Sequence, residues 1–150
     1  MFKQLAHNHI ENLSTGGNWN SFLRLEKQQN QLVSCYIDKI RITYVCDEDF
    51  NDTAHGGLMF VVSNSSTLDS TTPSNNNEKI IAAGASAGGF NSGVVTLEVK
   101  RSIKLNEEDS DSGMGQLWVF AKSTDMSSAS DVKIDTISEV WGRWHEIVSL

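Results

Sequence analysis

A chain of 150 residues with 39% apolar and 21% charged residues is the size of one domain, and folding at that length buries about 70% of the unfolded surface, so no disulfide or metal staple is required. Nineteen acidic residues against twelve basic ones give a net charge of −7; the cations are scattered, no Lys/Arg-rich arm supplies the counterion-release term, and direct nucleic-acid binding is not expected. The longest strongly apolar run, Leu58 to Val62, is too short for a transmembrane segment, and the opening MFKQLAHNHIENLS lacks the apolar stretch of a secretory signal, which leads to the expectation of a soluble protein assembled in a cytosol.

Residues 1–18 hold one Lys against one Glu and are read as an N-terminal arm, leaving 19–150 as a single β-sandwich domain. Within the arm, His7-Asn8-His9 sets two imidazoles on one side of an extended chain, but a metal site needs three or four ligands and no third is fixed by the spacing. The first strand candidate is 19–27 (WNSFLRLEK) and the second 31–45, where Ile40, Ile42 and Tyr44 alternate with Lys39, Arg41 and Thr43 at the period of two expected of a half-buried strand. Cys35 and Cys46 are eleven positions apart. On one extended strand that odd spacing puts them on opposite faces roughly 36 Å apart, which predicts two small buried thiols rather than a disulfide.

The turn-rich stretch 46–56 (CDEDFNDTAHG) gathers Asp47, Glu48, Asp49 and Asp52, and 106–115 (NEEDSDSGMG) gathers Glu107, Glu108, Asp109 and Asp111. Hard carboxylate oxygens in such clusters suit calcium, which would relieve their repulsion. The EF-hand spacing fails, because the glycine after Asp109 and Asp111 comes one position early and Phe120 stands where the bidentate glutamate belongs. An ordinary solvated acidic loop is the simpler expectation. Calcium on Asp47, Asp49, Asp52, Glu108, Asp109 and Asp111 is the one cofactor left open, and no other is expected.

Strand candidates continue at 57–63, 79–84, 93–105 and 115–122. Between the first two lies a long polar loop, 63–77, which contains Pro73, the only proline of the chain. Gly84-Ala85-Ser86-Ala87-Gly88 matches the G-x-S-x-G pattern of hydrolase nucleophile elbows, and Asp111 and His145 follow in the usual order. The elbow requires a helix after the serine, whereas here the chain runs directly into GVVTLEVKRSIKL, so a small-residue loop is expected. That strand is the clearest of all: Val95, Leu97 and Val99 share the inward face, and Glu98 and Lys100, like Lys39, point outward, with Arg101 the one interruption.

The end of the chain, VKIDTISEVWGRWHEIVSL, has apolar residues at helical spacings but many β-branched residues and a glycine in its middle. Two extended pieces, 132–141 and 143–149, bent at Gly142, are therefore preferred over a helix. Trp19, Trp118, Trp141 and Trp144 all fall in predicted strands, which favours core packing over sugar stacking. Trp141 and Trp144, beside the proposed bend, are the candidate anchors of a subunit interface. Eight strands, long polar loops and no convincing helix predict an all-β fold: an antiparallel two-sheet sandwich, as an eight-stranded jelly roll.

In this strand sequence, the Ser/Thr/Asn-rich loops, the long GVVTLEVKRSIKL strand and the apolar finish VWGRWHEIVSL, the chain resembles small single jelly-roll viral capsid proteins over roughly residues 19–150. The resemblance implies a non-enzymatic virion structural protein that self-assembles in many copies into an icosahedral capsid shell. It also implies contacts with other virion proteins and assembly in the host cytoplasm. Many such proteins carry a basic N-terminal arm that binds the genome, and this chain lacks one. The alternative is a carbohydrate-binding, lectin-like β-sandwich assisted by calcium on the acidic loops; a hydrolase ranks third.

Overall fold

Strands dominate because the apolar residues repeat every second position and the single proline leaves nearly every backbone N–H free to join a ladder. The computed structural model describes residues 2–13, 18–25, 33–46, 58–86, 92–105, 117–123 and 132–145. In chain order these form β1 (Phe2–Leu13), β2 (Asn20–Leu25), β3 (Val33–Cys46), β4 (Leu58–Ser63), a short 3₁₀ turn (Pro73–Asn76), β5 (Ile80–Ala85), β6 (Ser92–Leu105), β7 (Leu117–Ser123) and β8 (Val132–His145). They assemble into sheet A, ordered β1-β8-β3-β6, and sheet B, ordered β2-β7-β4-β5.

The pairing follows one rule. β1 pairs with β8, β2 with β7, β3 with β6 and β4 with β5, all antiparallel, so each strand meets the one equally far from the other end of the chain. That is a single long hairpin whose turn is the β4–β5 connection. Rolling the hairpin adds the β3–β8 and β4–β7 pairs and divides it into two four-stranded sheets. This strand order is the eight-stranded jelly roll.

Between the sheets lies one core. Ile40, Ile42, Tyr44, Val95, Leu97 and Val99 from sheet A meet Leu58, Phe60, Val62, Leu117 and Val119 from sheet B. Phe60 is fully buried, with the Phe22 ring edge-on at 6.0 Å and Tyr44 at 5.7 Å. Each such side chain stabilises the fold by about 1.5–3 kcal/mol relative to exposure. Tyr44 also lies over Gly93, where an added Cβ would meet its hydroxyl at 2.8 Å.

Three expectations are corrected. Residues 2–13 of the expected arm are an edge strand of sheet A, held by the ladder to β8 and by buried Ile10 and Leu13. The chain does not break at Gly142: this residue is buried and paired with Phe2 on one side and Ile37 on the other. Strands on both flanks keep β8 extended through it, so 132–141 and 143–145 belong to one strand, and 146–149 lie outside the described residues. Cys35 and Cys46 share the inward face despite their odd spacing, because β3 carries one extra residue between Ile37 and Lys39 relative to β8. Neither thiol is in a disulfide and both are buried, and burial pushes the Cys35 thiol up to about 11.

The sheets approach most closely where β5 of sheet B passes β6 of sheet A. A Cβ on Gly84 would stand 2.7 Å from Val95 Cγ1 and 3.1 Å from Leu97 Cδ2, a clash with buried side chains. Gly84→Ala is therefore expected to cost about 1–3 kcal/mol in urea unfolding, while Ala83→Ser at the neighbouring exposed position leaves the midpoint unchanged; an unaltered Gly84→Ala midpoint would show that the sheets are not so closely packed there.

Candidate functional site

The two outward faces differ. On sheet B, Val61 and Phe120 alternate with core residues and so point outward, yet only 1% and 3% of their surface is exposed. The β4–β5 connection is tied to Trp19 by a hydrogen bond from the Trp19 N–H to Ser70 Oγ (3.1 Å), while Lys122 of β7 lies over the Trp19 ring at 5.2 Å. Asp69 organises that connection. Its Oδ1 accepts from the Thr71 and Thr72 N–H groups (2.8 and 2.9 Å) and the Thr71 hydroxyl, and its Oδ2 accepts from Asn75 Nδ2 (2.8 Å). These bonds, led by Asn75, hold its carboxyl well below the usual range. Buried Asn76 closes the loop, donating to Asp69 O and accepting from Asp69 N–H at 2.7 Å each.

Sheet A keeps its outward face open. Leu5, Val45, Val94 and Ile137 are 66%, 54%, 49% and 49% exposed. The register places them on neighbouring rows across all four strands. Lys3, Trp141, Lys39 and Glu98 form one row; Leu5, Glu139, Arg41 and Thr96 the next; His7, Ile137, Thr43 and Val94 the third; His9, Asp135, Val45 and Ser92 the fourth. An apolar band thus crosses the sheet diagonally between a cationic end and an end rich in acids and histidines.

At the cationic end Trp141 lies half-buried, with Lys3 and Lys39 ammonium groups 4.9 and 5.2 Å from its ring centroid. Its indole N–H donates to Glu139 Oε2 (3.3 Å), which also lies 3.8 Å from Lys3. Arg143 covers the Tyr36 ring at 4.9 Å. At the other end His9 lies between two carboxylates: Nδ1 is 2.8 Å from Asp135 Oδ1 and Nε2 is 2.7 Å from Glu11 Oε2. Two acceptors suit a ring with both nitrogens protonated. The bond to Asp135, then that to Glu11, raises the His9 pKa, and the bond from His9, then the charge of Lys133, lowers that of Glu11.

Trp141 thus stands in the middle of sheet A, one strand in from the edge. Trp144 pairs with Cys35 in the ladder, and its side chain lies outside the described residues. So do Asp47, Asp49, Asp52, Glu108, Asp109 and Asp111, the calcium candidates. Among the described residues no group of three His, Cys, Asp or Glu side chains is placed to hold a metal; His7 and His9 meet carboxylates instead. Ser86 extends the β4–β5 ladder, its Oγ accepting from Leu58 N–H and its own N–H donating to Leu58 O, each at 2.8 Å. The expectation that the tryptophans fill the core is corrected: Trp19, Trp118 and Trp141 are half-buried and each has a cation over its ring. The contributions of Lys3, Leu5, His9 and Glu11 went unread because an inward series of Gln4, Ala6 and Asn8 gives almost no apolar alternation.

No family model matches the chain, and no curated protein matches it. Among solved structures, it is similar to one of Maize Chlorotic Mottle Virus obtained by single-particle analysis (11% identity, TM-score 0.38, 99% of this chain and 98% of that one). It is also similar to one from a semi-empty VLP of the giant freshwater prawn Macrobrachium rosenbergii nodavirus (9% identity, TM-score 0.42, 99% and 96%). A third is from deformed wing virus (9% identity, TM-score 0.37, 99% and 46%). The jelly-roll assignment rests on the strand order of the chain itself.

The His9 bridge between β1 and β8 has a definite pH signature. Its folded pKa lies above the ordinary 6.5, so its stabilisation is fully present below that value and is lost as pH rises through the folded pKa. At low salt, where exposed pairs are least screened, Tm is expected to fall more between pH 6 and pH 8 in the parent protein than in His9→Gln. Equal falls in the two proteins would show that the bridge contributes nothing.

Proposed function

We propose that this chain is a non-enzymatic viral structural protein that self-assembles into an icosahedral capsid shell. The observation that carries the proposal is a single eight-stranded jelly roll whose sheet A presents an exposed apolar band between charged ends. It agrees with the capsid resemblance of the strand and loop pattern. Jelly rolls also serve in lectins, but among the described residues Trp19, Trp118 and Trp141 each carry a cation over the ring, from Lys122, Arg24, and Lys3 with Lys39. Ser86, spent on the backbone ladder, offers no support for a hydrolase.

The charge pattern bears on the genome. Lys3, Lys100 and Lys133 are within 3.8 Å of Glu139, Glu98 and Glu11, so these cations already have counter-charges. In this proposal genome charge is neutralised by another protein, by polyamines, or across a membrane, and the chain's partners are its own copies and other virion proteins.

Negative-stain microscopy and light scattering of the purified full chain test this. Closed particles of uniform diameter are expected, assembling equally well with Ser86→Ala; a monodisperse monomer at every concentration and salt would overturn the proposal. Gel-shift assays at physiological salt are expected to show no DNA or RNA binding. A steeply salt-dependent shift would show that the chain itself neutralises the genome.

A further inference from the structure

We propose that the outward face of sheet A is the contact surface for a second copy of this chain, packed face to face about a two-fold axis that crosses the strands at the level of Ile137. This inference rests on the self-assembling function proposed above and names the surface that performs it. Three observations favour a second copy as the occupant.

The first is charge. A chain carrying −7 repels its copies, yet on this face Lys3, Lys39, Arg41, Lys100, Lys133 and Arg143 stand against Glu11, Glu98, Asp135 and Glu139. The acidic excess therefore lies elsewhere, and copies meeting here avoid it. The second is self-complementarity. A two-fold axis across the strands keeps each strand over its copy and reverses the rows. Ile137 and Val94 then lie near their own copies, and the Lys3 and Trp141 end lies over the Glu11 and Lys133 end. By the same operation Lys3 lies over Glu11, Leu5 over His9 and Val45 over Arg41 of the copy, so the face meets itself as an isologous contact does. The third is extent. Four strands about 4.8 Å apart and nine residues at about 3.4 Å each span roughly 19 by 30 Å. Side-chain relief carries that flat area of about 570 Å² toward the roughly 800 Å² per partner of a standard interface.

The test uses the full chain, Ile137→Glu, and the single-cysteine additions Ile137→Cys and Ala83→Cys, the latter exposed on β5 of the other sheet. Packed sheets lie about 10 Å apart, beyond the reach of a disulfide, so a short bismaleimide is the cross-linker; buried Cys35 and Cys46 do not compete. The expected result is a dimer or larger species for the parent, cross-linking of Ile137→Cys but not of Ala83→Cys, and a dissociation constant raised about 100-fold or more in Ile137→Glu, whose two carboxylates would face each other without partners. Circular dichroism and urea unfolding confirm that Ile137→Glu, on an exposed position, is folded. If the parent associates while Ile137→Glu associates equally and Ile137→Cys fails to cross-link, this surface is not the contact, although self-assembly stands. If the parent is monomeric throughout, both proposals fall.

Discussion

Sheet A depends on a change of phase in its middle. Its three longest strands each run fourteen residues, and a strand that long keeps one face inward only if its alternation is continuous or is reset once, cleanly. In β3 it is reset: Cys35 and Ile37 point inward, then Ile40, Ile42, Tyr44 and Cys46 do. One extra residue between Ile37 and Lys39 takes up the shift against β8, and opposite it β6 places two residues, Val99 and Lys100, against Asp38 alone. Lys100 adopts φ 46° there, a left-handed conformation that costs a side-chain-bearing residue about 1–2 kcal/mol. A one-residue slip without the bulge would turn half of β3 inside out. That loss of core contacts far exceeds the strain.

From this phase follow the two faces of the sandwich. With Ile40, Ile42 and Tyr44 inward, Lys39, Arg41, Thr43 and Val45 must point outward beside Trp141, Glu139, Ile137 and Asp135. Sheet B obeys the same alternation, but its outward Val61 and Phe120 are buried. The Asp69–Asn76 bonds give the β4–β5 connection a defined shape through polar side chains. The outward face of sheet A, by contrast, leaves Leu5, Val45, Val94 and Ile137 exposed.

The open face also explains how an acidic chain manages its few cations. The Lys3 and Lys39 ammonium groups lie over the Trp141 ring and Lys3 also lies near Glu139 of the adjacent strand, so cation–π and ionic contacts act together around Trp141. Each contact is weak while exposed. Covered by another subunit the same contacts lose their screening water, and their geometry then discriminates among partners more than it adds affinity.

By itself the sequence determined the strands whose two faces differ most in polarity. The alternation of Val95, Leu97 and Val99 with Glu98 and Lys100, and of Ile40 and Ile42 with Arg41, is imposed by the pleat and is legible without any knowledge of neighbours. The eight-strand total and the jelly roll follow from such local signals, but two of the strands were misassigned. Tertiary structure alone decided that Phe2–Leu13 is a strand, because Gln4, Ala6 and Asn8 give almost no apolar alternation and the segment is held by the ladder to β8 and by buried Ile10 and Leu13 near its end. It also decided that β8 runs straight through Gly142, since pairing on both flanks outweighs the glycine's freedom to bend. The shared face of Cys35 and Cys46 depends on a bulge that no spacing rule records. The open face was hidden for the same reason: Leu5, Ile137, Val45 and Val94 lie on four different strands, and only register makes distant residues neighbours.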